Sequence, residues 1–194
     1  MTDVNEVRST FVTEDGFARP GKIPASVVTP WLRDSNLEVR GALYHFLRQA
    51  QHSSRVIPPL ASEDVHGFML SYFEACIATP QEEVASRSPW ILSGGDLSHA
   101  IACWARDYWQ AHANEPQARK SLIAWLERIL LAHPHFRNLL APDIGEHVLL
   151  ADRRRQKHFA HWASHPVLGP LFPELTEAWD RSKIVTKAPP RRRQ

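Results

Sequence analysis

The segment with the most suggestive chemistry is LADRRRQKHFAHWASHP, residues 150–166, in which basic residues run directly into histidines and a tryptophan. Guanidinium and ammonium groups neutralise phosphates, and an aromatic or imidazole ring can stack on a base. On a helix, these cations would spread around more than half of the surface and meet a phosphate backbone. Three further arginines near the chain end add a second basic group. The candidate nucleic-acid-binding residues are Arg153, Arg154, Arg155, Lys157, His158, His161, Arg191, Arg192 and Arg193.

Three histidines of the same segment follow helical spacing. His158, His161 and His165 are separated by three and then four residues, which would stack their imidazoles along one stripe of a helix. Neutral imidazoles on a single face can bind zinc or another borderline metal. However, no acidic residue shares the stripe, and Arg154 on the same line would repel a cation. We therefore predict no metal site and no cofactor, and leave metal binding by this row as an open alternative.

An arginine is followed by a histidine at a short, recurring spacing. The pairs are Arg40 with His45, Arg153 with His158, and Arg155 with His161. This spacing resembles the Arg-x4–6-His signature of the HEPN-type helical ribonucleases, and in the first pair the resemblance covers residues 40–45. It implies an enzyme in which arginine and histidine promote attack of a 2′-hydroxyl on the neighbouring phosphate. Where that family commonly has a polar residue after the arginine, this sequence has Gly41.

Other catalytic patterns are absent from the sequence. There is no G-x-S-x-G nucleophile turn and no glycine loop of the kind that cradles phosphates. The acidic pairs at 63–64 and 82–83 fall at predicted helix starts, where carboxylates offset the helix dipole. We therefore predict no catalytic residues and favour a non-enzymatic protein.

Helical periodicity determines where these residues would lie. The clearest pattern runs from Val65 to Ile77, with apolar residues at every third or fourth position. Capping-box patterns at Ser35–Glu38 and Asp143–Glu146 mark two further helix starts. The last of these opens a long helix that would turn Phe159 and Trp162 to the core and the cations to solvent. The predicted helices are about 36–51, 63–78, 97–112 after an Asp96 cap, 116–132, 144–164 and 173–183, with a short one opening at 79–82.

These elements predict an all-α fold, an irregular helical bundle of about six to eight helices. The segment TPWLRDSNLEVRGALYHFLRQA, residues 29–50, resembles one HEAT-type unit, so a HEAT-like helix pair is expected near the N-terminus. We expect residues 1–35 to form an extended arm, because turn signals and prolines recur there with few apolar residues. Residues 36–184 would form a single helical domain, and 185–194 a flexible basic tail.

Composition places the chain among ordinary globular proteins, with 43% apolar and 23% charged residues. No apolar run reaches the roughly 20 residues that cross a bilayer, and the N-terminus lacks the pattern of a secretory signal. Cys76 and Cys103 sit in amphipathic patterns and are expected to be buried free thiols. We therefore expect a bacterial protein of the cytoplasm with no membrane partner.

Charge is distributed unevenly. Residues 150–194 hold ten lysines and arginines against four acidic residues, whereas residues 1–149 hold thirteen against seventeen. The leading hypothesis is an adaptor, immunity or regulatory subunit that binds a protein partner through helix faces and surface tryptophans such as Trp31, Trp90 or Trp109. The alternative is an accessory RNA- or DNA-binding protein that uses the basic helix and tail. A HEPN-like ribonuclease is the third hypothesis.

Overall fold

The computed structural model describes residues 3–80 and 88–175 and has the predicted all-α fold. The chain divides into two compact units, Met1–Leu97 and Ser98–Gln194, where we expected one helical domain over 36–184. Each half carries enough large apolar side chains to bury a core of its own. Most of the short helix predicted to open at 79–82, most of the one at 173–183 and the basic tail lie outside the described residues. No helix in the described ranges has the length and apolar character needed to cross a membrane.

The N-terminal segment is not the extended arm that we expected. It begins with a helix whose first turn is capped by Asp3, because the side chain of Asp3 accepts a hydrogen bond from the amide of Glu6 at 2.9 Å. Val7 and Phe11 of this helix are fully buried, and with Val4 they follow the i, i+3, i+7 spacing of a helix. The pattern is only eight residues long and is followed at once by turn signals, which led to the prediction of an extended arm. A small hairpin follows, in which Gly16 has a φ of +82°.

The first unit continues through short elements to two longer helices. Its only paired strands among the described residues are two residues long each and run parallel, with Ile23 beside Val56. The third α-helix starts one residue later than predicted, because Asn36, and not Ser35, caps it by accepting from the amide of Glu38. The elements are α1 (Val4–Phe11), β1 (Ile23–Pro24), α2 (Ala25–Val28), a 3-10 helix (Thr29–Arg33), α3 (Leu37–Arg48), α4 (Ala50–Ser53), β2 (Val56–Ile57) and α5 (Ser62–Ala78).

Aromatic side chains from α3 and α5 form the core of this unit. Tyr44 packs against Tyr72 and Phe73, with ring centroids 5.2 and 5.6 Å apart. The hydroxyl of Tyr72 donates to the carbonyl of Trp90 and accepts from the amide of Leu92, both at 3.2 Å, so the buried phenol is paired. This arrangement fixes the chain at 90–92 against the core of the first unit.

The second unit is built on three α-helices followed by a series of tight turns. Two of these helices match the predicted positions closely, because their apolar periodicity is regular and proline or glycine marks their starts. The elements are α6 (Gly94–Ala111), α7 (Pro116–Ala132), α8 (Pro134–Ile144), a π-helix (Gly145–Leu150) and 3-10 helices at Arg153–His158, Ala160–Ser164 and Gly169–Leu171.

The predicted continuous helix over 144–164 is wrong. Pro142 stands in the last turn of α8, where it removes a backbone donor, and the chain continues as the π-helix. Asp152 then adopts an extended conformation, with φ −147° and ψ 104°, and its side chain caps a new start by accepting from the amide of Arg154 at 3.0 Å. Asp143 does not cap a helix, since it lies inside α8 and accepts a hydrogen bond from the hydroxyl of Ser98.

The core of the second unit retains the predicted aromatic residues despite the broken helix. Phe159 and Trp162 are fully buried, and their ring centroids are 4.9 Å apart. Phe172 completes the cluster at 5.2 Å from Trp162. In a 3-10 helix residues three apart share a face, so the same two side chains reach the core as in the predicted α-helix.

Candidate functional site

The basic segment is partly exposed and partly buried. Arg153, Arg154 and Lys157 are exposed, as expected for cations that meet a partner. Arg155 is only 5% exposed, which corrects the prediction that all the guanidinium groups of this segment face solvent. The inward row with a spacing of three is Gln156, Phe159 and Trp162, so the 3-10 spacing alone does not account for Arg155. Its guanidinium instead turns back toward the carbonyl of Val148 in the π-helix.

Part of this segment lines an open cleft of about 380 Å³ in the second unit. The end of α6, the start of α7 and the 3-10 helix Arg153–His158 each contribute to it. We call it the basic cleft, and its lining residues are Trp109, Gln110, Ala113, Arg119, Asp152, Arg154, Arg155, Lys157 and His158.

Trp109 is an aromatic support at the base of the cleft. It is 6% exposed, so it is a core side chain and not the docking tryptophan that we expected. The guanidinium carbon of Arg119 lies 5.1 Å from its ring centroid, within cation–π range. The Nε of Arg119 also donates to the carbonyl of His112 at 3.0 Å. These two contacts hold Arg119 in place, so that its charge is pre-positioned beside the cleft.

Arg155 is the least satisfied cation of the cleft. Its Nη1 donates to the carbonyl of Val148 over a long 3.5 Å, and its buried Nε has no hydrogen-bond partner among the described residues. Burial lowers the pKa of this guanidinium, while the nearby carboxylate of Asp152 opposes that effect. A guanidinium carries five N–H donors, and a buried donor without a partner is costly. Arg155 also lines the cleft, so an anion there would lie next to this incompletely paired guanidinium.

The neighbouring carbonyls explain why Arg155 is drawn inward. The π-helix ends at Leu150 and leaves carbonyls without partners in the next turn. Arg155 approaches the carbonyl of Val148, and the side-chain Nε2 of the buried Gln156 donates to the carbonyl of Leu149 at 3.4 Å. A cation near the carboxyl end of a helix is also favoured by the helix dipole.

The one carboxylate of the cleft is already engaged. Asp152 receives two hydrogen bonds from the side chain of Arg154, at 3.0 and 3.1 Å. These bonds are the main cause that lowers the pKa of Asp152, so its carboxylate stays ionised at neutral pH. Four permanent cations therefore face one carboxylate in the cleft, and a surplus of positive charge remains.

His158 brings a neutral, titratable group to the same cleft. Its ring packs edge-on against Trp109 with centroids 5.2 Å apart. Burial first, and then the charges of Lys157 and Arg119, lower the pKa of His158 below its usual 6.5. The imidazole is therefore uncharged at neutral pH and gains a proton more readily when an anion binds beside it.

The other two histidines of the predicted row have separate roles. The Nε2 of His161 lies 3.1 Å from a carboxylate oxygen of Glu127, which also accepts from the indole of Trp162 at 3.2 Å. The Nδ1 of His165 accepts from the amides of residues 167 and 168. The structure therefore does not bring His158, His161 and His165 together on one face.

The arginine and histidine that resemble the HEPN signature make different contacts. A terminal nitrogen of Arg40 donates to the hydroxyl of Ser71 at 2.8 Å. The ring of His45 packs instead against Tyr44 and Trp90. Burial is the main cause that lowers the pKa of both Arg40 and His45. Arg191, Arg192 and Arg193 lie outside the described residues.

A cluster of three side chains of the kinds that bind metals lies elsewhere in the second unit, and the sequence analysis did not predict it. His99, Cys103 and His147 place one potential ligand atom each within 4.8 Å of one another, and they form the one such group of three found among the described residues. The spacing of His99 and Cys103, four residues on one helix, was visible in the sequence. His147 is 44 positions further along, and only the fold reveals its approach.

Comparison with known proteins assigns no function to this chain. No protein-family model, curated protein or solved structure matches it.

Proposed function

We propose that the chain binds nucleic acid by holding the phosphate backbone in the basic cleft. The observation that carries this proposal is Arg155, a buried cation with an unpartnered Nε at a cleft that three other permanent cations line. Buried polar groups in folded proteins almost always have partners, so a missing acceptor at this position favours an anionic ligand.

Charge in the cleft supports the same proposal. The carboxylate of Asp152 offsets about one of the four cations, which leaves a net surplus of about three positive charges over a small volume. A concave surface of one sign concentrates the field and attracts oppositely charged ligands. Arginine is also suited to phosphate because its planar fork of N–H groups matches two phosphate oxygens.

A polymer of phosphates fits better than a single small anion. Arg153 is exposed directly beside the cleft but does not line it, so positive charge continues along the surface beyond the cleft. Successive phosphates of a strand would occupy such a row of cations. Three of the lining cations, Arg154, Arg155 and Lys157, come from a 3-10 helix, and Arg119 comes from the first turns of α7. No single long helix therefore carries the row of cations into a duplex groove. We therefore propose binding of single-stranded RNA or DNA with little sequence preference.

The test is fluorescence anisotropy with labelled single-stranded oligonucleotides of mixed sequence. The informative variant is Arg154→Glu/Lys157→Glu, since both side chains are exposed and their replacement leaves the core intact. The matched control is Arg19→Glu/Lys22→Glu in the first unit, which changes two exposed cations and the net charge by the same amount. We expect the cleft variant to lose binding and the control to retain it.

Three results would contradict the proposal. These are absence of binding by the wild-type protein at low salt, equal loss in the two variants, and equal affinity for a mononucleotide and for the oligonucleotide. The last result would identify a site for a small phosphorylated molecule. Circular dichroism of each variant establishes that a loss of binding does not come from unfolding.

A protein partner, the leading hypothesis from the sequence, remains the second candidate. The exposed feature that favours it is Phe17, a phenylalanine of the N-terminal hairpin that is 73% exposed. Large exposed aromatic side chains are typical anchors of protein interfaces. Trp31 no longer supports this hypothesis, because it is 2% exposed. Quantitative co-purification of wild type against Phe17→Ser tests it, and equal recovery of the same partners would contradict a role for Phe17.

A further inference from the structure

Three side chains with metal-binding chemistry converge in the second unit. His99 and Cys103 are one turn apart on α6, and His147 lies on the π-helix that follows α8. Residues four apart on a helix share a face, so the first two are arranged as a pair by α6 alone. The sulfur of Cys103 lies 3.4 Å from the Nε2 of His99. The rings of His99 and His147 meet edge-on with centroids 4.8 Å apart.

These distances suit ligands of one tetrahedral metal ion. With a Zn–S bond of about 2.3 Å and a Zn–N bond of about 2.0 Å, tetrahedral angles place sulfur and nitrogen about 3.5 Å apart. The observed 3.4 Å between Cys103 and His99 matches that separation. All three ligand atoms lie within 4.8 Å of one another, and rotation of the imidazole rings would bring them to bonding geometry, because His99 is exposed and His147 is half-buried.

The local backbone supports a functional role for this cluster. His147 lies in the middle of a π-helix, an irregularity that occurs frequently at functional sites. Without the helix break, His147 would lie on the regular continuation of α8. A thiolate with two imidazoles is also a ligand set that favours zinc over magnesium and calcium, which prefer oxygen ligands.

We propose that His99, Cys103 and His147 bind one Zn²⁺ ion, with the fourth tetrahedral position left for water or an external ligand. Binding releases the thiol proton of Cys103 to solvent and forms one Zn–S and two Zn–N bonds. Three protein ligands and one open position are typical of zinc sites that bind or activate a ligand, whereas structural sites usually have four protein ligands. This site goes beyond nucleic-acid binding and does not use the basic cleft.

The test uses the full chain without an affinity tag, stripped of metal and titrated with Co²⁺ as a spectroscopic substitute for Zn²⁺. We expect one equivalent to bind, with a thiolate-to-cobalt charge-transfer band and the intense visible bands of a tetrahedral site. Added Zn²⁺ should bleach both. Zinc should also raise the unfolding temperature, and the increase should grow with the logarithm of the zinc concentration above Kd, because zinc binds the folded state.

Variants assign the ligands. Cys103→Ser should remove the charge-transfer band, and His147→Gln, at a half-buried position, should weaken binding at least about tenfold. His135→Gln replaces an exposed histidine outside the cluster and serves as the matched control. The proposal is overturned if the metal-free wild type binds no cobalt, if the sulfur band survives Cys103→Ser, or if His135→Gln weakens binding as much as His147→Gln.

Discussion

The charge of the basic cleft predicts how the proposed binding of single-stranded nucleic acid should depend on salt. It also predicts how Lys157→Ala should change that dependence. Under the proposed function, four permanent cations and one engaged carboxylate would leave about three phosphate contacts. For a single strand the slope of log K against log salt is about −0.7 per contact, hence about −2 here. Between 50 and 200 mM salt, affinity should then fall about 20-fold.

Removal of Lys157 should reduce that dependence by one contact. The slope becomes about −1.4, and the same rise in salt weakens the variant only about 7-fold. Lys157 is exposed, so its replacement should leave the free energy of unfolding nearly unchanged. Anisotropy titrations at four or more salt concentrations measure both slopes, with Lys22→Ala as the control that keeps the wild-type slope. Parallel lines for wild type and Lys157→Ala would refute the assignment of Lys157 to a phosphate contact.

Three further predictions concern stability. A Cβ at Gly41 would lie 2.2 Å from the carbonyl oxygen of Trp90, so Gly41→Ala should cost about 1–3 kcal/mol in urea unfolding, and an unchanged midpoint would contradict this close approach. Trp162→Ala should cost about 3–5 kcal/mol, because a fully buried ring is lost; a loss below about 1 kcal/mol would disagree with its burial. Burial lowers the pKa of His52 in the folded state, so neutral His52 favours folding. This contribution to the free energy of unfolding is complete above the pKa of the unfolded chain, near 6.5, and is lost as the pH falls below it. The difference in unfolding midpoint between pH 7.5 and 5.5 should therefore shrink in His52→Leu, and an equal difference in both proteins would show that His52 does not titrate with unfolding.

The sequence predicted the helices with regular apolar spacing. The predicted helix 63–78 is observed as Ser62–Ala78, and 116–132 as Pro116–Ala132. Each has many apolar positions on one face, so local periodicity and burial agree. By contrast, α1 escaped prediction although its sequence carries a helix-start pattern at Asp3–Glu6 and helical spacing at Val4, Val7 and Phe11. The helix is short, and the prolines and turn signals that follow it dominated the prediction for residues 1–35.

The break in the basic segment depends on competing local effects. A capping-box pattern at 143–146 and apolar residues beyond it favour a long helix. Pro142 and the cap that Asp152 provides favour an interruption, and the structure shows that these prevail. Helix propensity alone does not decide between one proline and a regular pattern of apolar residues. The outcome depends on whether the interrupted chain can still pack its apolar side chains into the core.

The site was predictable in composition but not in geometry. Arginines and histidines in one segment indicated anion binding, and Arg154, Arg155, Lys157 and His158 do line one cleft. Arg119 enters this cleft from α7, and no pattern in the sequence links it to a segment more than thirty residues away. The burial of Arg155 depends on carbonyls that only the π-helix leaves open.

The most direct test of the proposed function is the pKa of His158 with and without a bound strand. NMR titration of the histidine ring protons, with His158 assigned through His158→Gln, reports each imidazole separately. The free protein should show a His158 pKa below 6.5, since burial and neighbouring cations disfavour its charged form. Saturation with a single-stranded oligonucleotide should raise this pKa and leave that of His45 in the first unit unchanged. An unchanged His158 pKa in the saturated complex would mean that the strand does not occupy the basic cleft.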